Sequence, residues 1–121
     1  MKHFFQSFKF AGKGIWLAVM QQRNLRFQFM VAALVIVAAY IFEVTKVEWC
    51  ILLLCIGLVI SLEIMNTAIE LVVNLISPQW QESAGRIKDL AAGAVLWSSI
   101  IAVLIGLIVF GNRLLLFIEA I

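Results

Sequence analysis

Two carboxylates, two carboxamides and a hydroxyl stand in an otherwise oily stretch of this chain, Ser61-Leu-Glu63-Ile-Met-Asn66-Thr67-Ala-Ile-Glu70-Leu-Val-Val-Asn74. Glu63, Asn66, Glu70 and Asn74 are spaced three, four and four apart. At about 100° per residue they share one helical face, with Thr67 beside them. Paired carboxylates on one face can divide two tasks, one as general base towards a hydroxyl and the other holding Mg²⁺ on the phosphates of a donor. Lys88 is placed to neutralise developing charge. The upstream run from Trp49 to Ile60 is almost unbroken Leu, Ile, Val and Cys, which only a bilayer or a large buried core accommodates. An ionisable group at membrane depth is by default a candidate functional site.

Membrane helices must position these groups. The 121 residues are 64% hydrophobic and 13% charged, and the mean hydropathy is +1.10. That is far more apolar than a soluble domain of this size, and it predicts an all-α integral membrane protein with a single domain over residues 1–121. Nine basic against seven acidic residues give no nucleic-acid footprint. Cys50 and Cys55 lie in an apolar run without His neighbours, so they read as packing residues, with neither a disulfide nor a metal site expected.

Residues 1–22 mix Phe4, Phe5, Phe8, Phe10, Trp16 and Leu17 with Lys2, Lys9 and Lys13. The apolar core from Ile15 to Met20 is too short to span, so an amphipathic surface helix is expected, with Gly12 and Gly14 as points where it can bend. The polar run Gln21 to Arg26 marks a membrane boundary. Spans are expected at 27–42, 49–76 and 90–120, separated by a loop at 43–48 and a hydrophilic connector at 77–89. Ser77-Pro78 ends the second span, Asp89 is a candidate cap for the third, and Gly111-Asn112-Arg113 interrupts its last apolar run. At about 1.5 Å per residue, Glu63 lies ~21 Å from Trp49 and Glu70 ~32 Å, which puts the stripe at the far boundary rather than mid-bilayer. Lys2, Lys9, Lys13, Arg23, Arg26, Arg86 and Lys88 fall on one side of this arrangement, with Lys46 and Arg113 on the other. The excess places the amino terminus and the polar connector in the cytoplasm.

The residues alone leave several readings open. Asn66, Thr67 and Asn74 are also what joins membrane helices, Glu70 is also what a solvated boundary residue looks like, and Glu63 would also serve an ion pathway. Arg86 and Lys88 double as topogenic charges, and Trp16, Trp49 and Trp80 as interface anchors. No Gly-x-x-x-x-Gly-Lys loop or kinase glycine loop occurs, so any nucleotide is held another way.

Glu63-Ile-Met-Asn66-Thr67-Ala-Ile-Glu70, followed by Gly85-Arg-Ile-Lys88-Asp89-Leu-Ala-Ala-Gly93-Ala-Val, resembles the signature of the small prokaryotic diacylglycerol kinase and undecaprenol kinase family. Gly14-Ile15, Asn24 and Arg26 fit as well, so the resemblance covers nearly the whole chain. It implies three transmembrane helices and a surface helix, assembled as a homotrimer with active sites between subunits. It implies an ATP-dependent lipid kinase of the cytoplasmic membrane with Mg²⁺ as cofactor. By matching positions, Glu63 is the general base, Glu70 and Gln22 stand at metal positions and Asn66 supports them. Phe10, Asn66, Gln79, Trp80, Gln81, Lys88 and Asp89 stand at nucleotide positions, and Asn24 and Arg26 join Glu63 on the lipid side.

Three positions depart from the family pattern. Gln22 replaces a metal-binding Glu, Asn74 an Asp and Gln81 a His. Each removes charge or titration, so weaker metal binding is expected, and a catalytically degenerate relative is one reading. The acceptor is expected to be diacylglycerol or undecaprenol, with the amino terminus and the Asp89-Leu-Ala-Ala-Gly-Ala run closer to the undecaprenol branch. A small oligomeric transporter or channel using Glu63, or a purely structural membrane assembly, is the contrasting class.

Overall fold

A computed structural model describes all residues from Met1 to Ile121 as four α-helices without strands. They are α1 (Lys2–Gln21), α2 (Arg23–Ile41), α3 (Lys46–Ile76) and α4 (Glu82–Ala120). The last three are long and apolar enough to cross a membrane.

Each break has a local cause. Gln22 alone separates α1 from α2, in an extended conformation with φ −109° and ψ 111°. Across that corner the Arg26 guanidinium donates to the carbonyls of Val19 and Met20 at 2.9 Å each. Those are carbonyls of the last turn of α1, which has no helical partners of its own to offer them. Leu25, fully buried, fills the inside of the corner. Between α2 and α3 the chain turns through Glu43, whose φ of 53° is left-handed. Thr45 then opens α3 with a capping box. Its hydroxyl accepts from the Glu48 N–H at 3.1 Å, and its own N–H donates to Glu48 Oε1 at 2.9 Å. Pro78 follows the end of α3, where the Ser77 N–H donates to the Val73 carbonyl at 2.8 Å.

Packing is concentrated at one end. Ala39, Val44, Leu52 and Val109 form the buried apolar cluster, with Phe42, Trp49, Ile105 and Phe110 against it. Arg113 on α4 pairs with Glu48 on α3 beside this cluster. Only 12 of 121 residues are buried, so most apolar side chains face outward, as they do in a chain solvated by lipid or by further copies.

Some expected boundaries move. Asp89 does not cap α4, which begins at Glu82 after an extended Gln81, and Asp89 lies about two turns inside it. Glu82 and Arg86 form an i,i+4 ion pair at 2.8 Å, so this hydrophilic stretch is the exposed face of a helix rather than a loop. The non-helical connector is only Ser77 to Gln81. Gly111-Asn112-Arg113 does not interrupt α4, and α1 runs unbroken through Gly12 and Gly14.

Candidate active site

Helix α3 turns its polar face inward. Glu63, Asn66 and Thr67 are 3%, 8% and 4% exposed, and Glu70 is half-buried. The hydroxyl of Thr67 donates to the Glu63 carbonyl at 3.0 Å, which places its hydrogen within its own helix. Asn66 Nδ2 donates to Glu70 Oε1 at 3.2 Å. From α2, Gln28 Nε2 donates to Glu63 Oε2 at 3.4 Å. One turn beyond Glu70, Asn74 Oδ1 accepts from Lys88 Nζ at 2.6 Å and so ties α3 to α4.

The Asn66 and Gln28 amide nitrogens each spend one of their two N–H groups, and two buried acceptors are left over. Gln28 Oε1 and Asn66 Oδ1 are both buried without a partner. No cationic side chain touches Glu63 or Glu70, because the ion pairs of the chain are Arg86–Glu82 and Arg113–Glu48. A buried acceptor without a donor costs about 1–3 kcal/mol. Such a cluster is completed by a cation or by a ligand that donates. Two carboxylates and one amide oxygen fall short of a cage of three acidic or imidazole ligands. The Glu70 carboxylate with the unpaired Asn66 Oδ1 would suit Mg²⁺, which is commonly held through one or two carboxylates with water and substrate phosphates supplying the rest.

The other expected site residues lie around this cluster without hydrogen-bonding to it. Gln22 is half-buried at the α1–α2 break, and Asn24 is exposed in the first turn of α2. Arg26 is occupied by the α1 carbonyls. Phe10 is exposed on α1, with Lys13 Nζ 5.8 Å from its ring. Gln79, Trp80, Gln81 and Asp89 are exposed. The structure thus brings Glu63, Asn66 and Glu70 together, joins Lys88 to Asn74, and leaves Phe10, the connector and Asp89 open. Gln28 was not anticipated from sequence. Its signal was a lone carboxamide in Phe27-Gln28-Phe29 at the head of an apolar span.

Beside Glu63 an open cavity of about 310 Å³ runs between α2, α3 and α4. Val31, Val59, Ile60 and Val103 are among its walls, and Leu52 and Phe110 line the end it shares with the packed cluster. Gln28 and Ser99 are its only polar lining residues.

An acceptor-rich polar site opening onto an apolar groove, carried by three apolar helices, defines a multi-pass membrane protein built to work at the polar end of its own bundle. The sequence model of prokaryotic diacylglycerol kinase matches residues 9–110, and the chain belongs to that family. It is 41% identical over 114 residues to the undecaprenol kinase of Bacillus subtilis, which covers 94% of this chain and 93% of the relative. It is 40% identical over 101 residues to the diacylglycerol kinase of Synechocystis, covering 83% of this chain and 58% of that relative. The diacylglycerol kinase of Escherichia coli is 33% identical over 95 residues, 78% of each chain.

Proposed function

We propose that the chain is a lipid kinase that uses ATP and Mg²⁺ to phosphorylate the hydroxyl of a membrane lipid, diacylglycerol or undecaprenol. The observation that carries this is a buried carboxylate, Glu63, with no cation beside it, hydrogen-bonded to Gln28, which lines an apolar groove between three membrane-spanning helices. Family membership supplies the phosphoryl donor.

In this reading the lipid lies along the groove with its hydroxyl at Glu63. Glu63 takes the hydroxyl proton as the oxygen attacks the γ-phosphorus, and the bond to the β-phosphate oxygen breaks to release ADP. Glu70, supported by Asn66, holds the metal with Gln22. When bound, Mg²⁺ supplies charge neutralisation on the transferring phosphates. Gln79, Trp80, Gln81, Lys88, Asp89 and Phe10 contact the nucleotide, and Asn24 and Arg26 lie at the lipid headgroup. Lys88 is held by Asn74 in this chain, which aims its ammonium along the polar face.

The exposed Phe4, Phe5, Phe8 and Trp16, with Lys2, Lys9 and Lys13, support α1 as an amphipathic surface helix. The basic residues support a cytoplasmic amino terminus and site. The family resemblance, which implies a homotrimer with active sites between subunits, supports a neighbour completing each nucleotide site.

The test is γ-labelled ATP with Mg²⁺ and lipid in mixed micelles. Glu63→Gln keeps the shape and the hydrogen-bond acceptor but not the base. Label transfer should fall by roughly 10²–10⁴-fold. Transfer at the parental rate in that variant, or ion flux in liposomes that depends on Glu63 without any phosphorylation, would sink the proposal.

A further inference from the structure

We infer that one edge of α1, formed by Lys2, Lys9 and Lys13, is a docking surface for the anionic phospholipid headgroups of the leaflet in which α1 lies. The three lysines are spaced seven and four apart. At about 100° per residue they fall within ~40° of one another, and Lys9 stands about 180° from Ala18, the one buried residue of α1. All three are exposed. A preference for one side of the membrane accounts for basic residues in this segment, but it does not require them to share a face.

Nothing within the chain neutralises this edge. No acidic residue occurs before Glu43. The ion pairs, Arg86–Glu82 and Arg113–Glu48, lie on α3 and α4. Lys13 Nζ stands 5.8 Å from the Phe10 ring, which leaves its charge in place. Arg23, exposed at the start of α2, adds a further cation without a carboxylate, whereas Arg26 is occupied by the carbonyls of α1. The amino-terminal end of the chain is thus a patch of one sign that calls for anions from outside.

The rest of α1 fixes which anions those are. Phe4, Phe5, Phe8 and Ile15, all exposed, fill an arc of ~100° that lies between the lysines and the Ala18 side. Helix α1 meets α2 and α3, and Ala18 marks the side turned towards them. With the aromatic arc in the hydrocarbon, the lysines point sideways, away from the bundle and at the depth of the headgroups. Their apolar stems can lie along the acyl boundary while the ammonium groups reach the phosphates. Phe10 falls about half a turn from the middle of the aromatic arc and so faces water, apart from the lipid edge. Each lysine near an anionic leaflet gains roughly fivefold in partition, so three on one edge make a specific preference for anionic over zwitterionic surfaces.

The experiment reconstitutes the full-length protein into vesicles of phosphatidylcholine alone, or mixed with an equal part of phosphatidylglycerol, and follows amide hydrogen exchange over α1 and α4. It needs neither nucleotide nor a lipid alcohol, so its outcome is independent of the kinase reading. Exchange across α1 should slow by about fivefold or more in the anionic vesicles while exchange across α4 stays the same. Salt at ~1 M, where the Debye length is about 3 Å, should remove the difference. Lys2→Gln, Lys9→Gln and Lys13→Gln together should leave less than about a twofold difference, and the corresponding three Lys→Arg changes should preserve it. If the Gln variant does not fold, the salt series on the unaltered protein decides. Equal exchange of α1 in the two kinds of vesicle would overturn the inference and turn the lysines towards solvent or a second copy. A Gln variant that keeps the lipid dependence would overturn it as well. So would one whose KM for ATP rises several-fold on phosphatidylcholine vesicles without any change in lipid dependence, since the lysines would then serve nucleotide phosphates.

Discussion

Gln28→Leu separates orientation of the base from simple adhesion between helices. The side chain makes one hydrogen bond to Glu63, at 3.4 Å, and leaves one buried oxygen unpaired. A hydrogen bond to a charged group contributes about 1.5–3 kcal/mol at ordinary length, and at 3.4 Å the lower figure is already generous, so ~1 kcal/mol is the working value. Leucine forfeits that bond but also removes the unpaired oxygen, whose burial costs about 1–3 kcal/mol. The two effects roughly cancel in stability. They do not cancel in catalysis, because the unpaired oxygen does not orient Glu63 and the hydrogen bond does. A ~1 kcal/mol loss of orientation lowers kcat about fivefold, with KM for ATP unchanged. Gln28→Asn should behave differently. One carbon shorter, its amide falls short of Glu63, so kcat falls as in the leucine variant while stability drops by about 1–3 kcal/mol for the stranded polar groups. Label-transfer kinetics and thermal unfolding in detergent read the two quantities. If Gln28→Leu unfolds at much lower temperature while keeping full kcat, Gln28 is a tie between α2 and α3 and the reasoning fails.

Glu48 serves both the capping box and Arg113. Glu48→Ala should therefore lower the unfolding temperature more than Arg113→Met, which leaves the box intact, and neither should change kcat below the transition; the opposite order would show that the box contributes little. At Glu43, with its φ of 53°, Glu43→Gly should be more stable than Glu43→Ala by about 1 kcal/mol in denaturant titration, since only the alanine keeps the Cβ clash of the left-handed conformation. Gln22→Glu restores a charged ligand and should lower the Mg²⁺ concentration for half-maximal activity several-fold; an unchanged Mg²⁺ dependence would remove Gln22 from the metal site. Ala102→Leu partly fills the groove. It should raise KM for lipid while changing stability by less than ~1 kcal/mol, because the lipid tails it displaces are as apolar as the leucine.

The spans and the stripe were legible because each is a property of one segment. Hydropathy locates Lys46–Ile76 and the helical period aligns Glu63, Asn66 and Glu70 without reference to any neighbour. What stayed hidden depends on which helices meet. Gln28 lies 35 residues from Glu63, and Glu48 lies 65 from Arg113. Periodicity names the inward face of a helix but not the side chain across from it. The start of α4 was misplaced for a different reason. Glu82 to Asp89 is hydrophilic, and hydrophilicity was read as a connector, whereas the Glu82–Arg86 pair makes it a solvated helical face. Arg113 likewise looked like a break in an apolar run and is a partner for Glu48.

Packing and chemistry are kept apart along the helix axis. Leu52, in the packed cluster, and Glu63, in the polar one, stand eleven residues apart on α3, about 16 Å at 1.5 Å per residue. At the Leu52 end apolar side chains interlock and an ion pair joins α3 to α4. At the Glu63 end buried polar groups stand beside the buried Leu25 and Val73, and two of the polar groups lack partners. The groove lies between the two ends. This division follows from the solvent. Inside a bilayer, apolar contact between helices gains nothing over contact with lipid tails, so association depends on close packing and hydrogen bonds. A chain of this length that concentrates its packing at one end can leave the other under-packed and acceptor-rich without losing its fold. That unsatisfied end is the part of the bundle left open to a hydroxyl, a metal and phosphates.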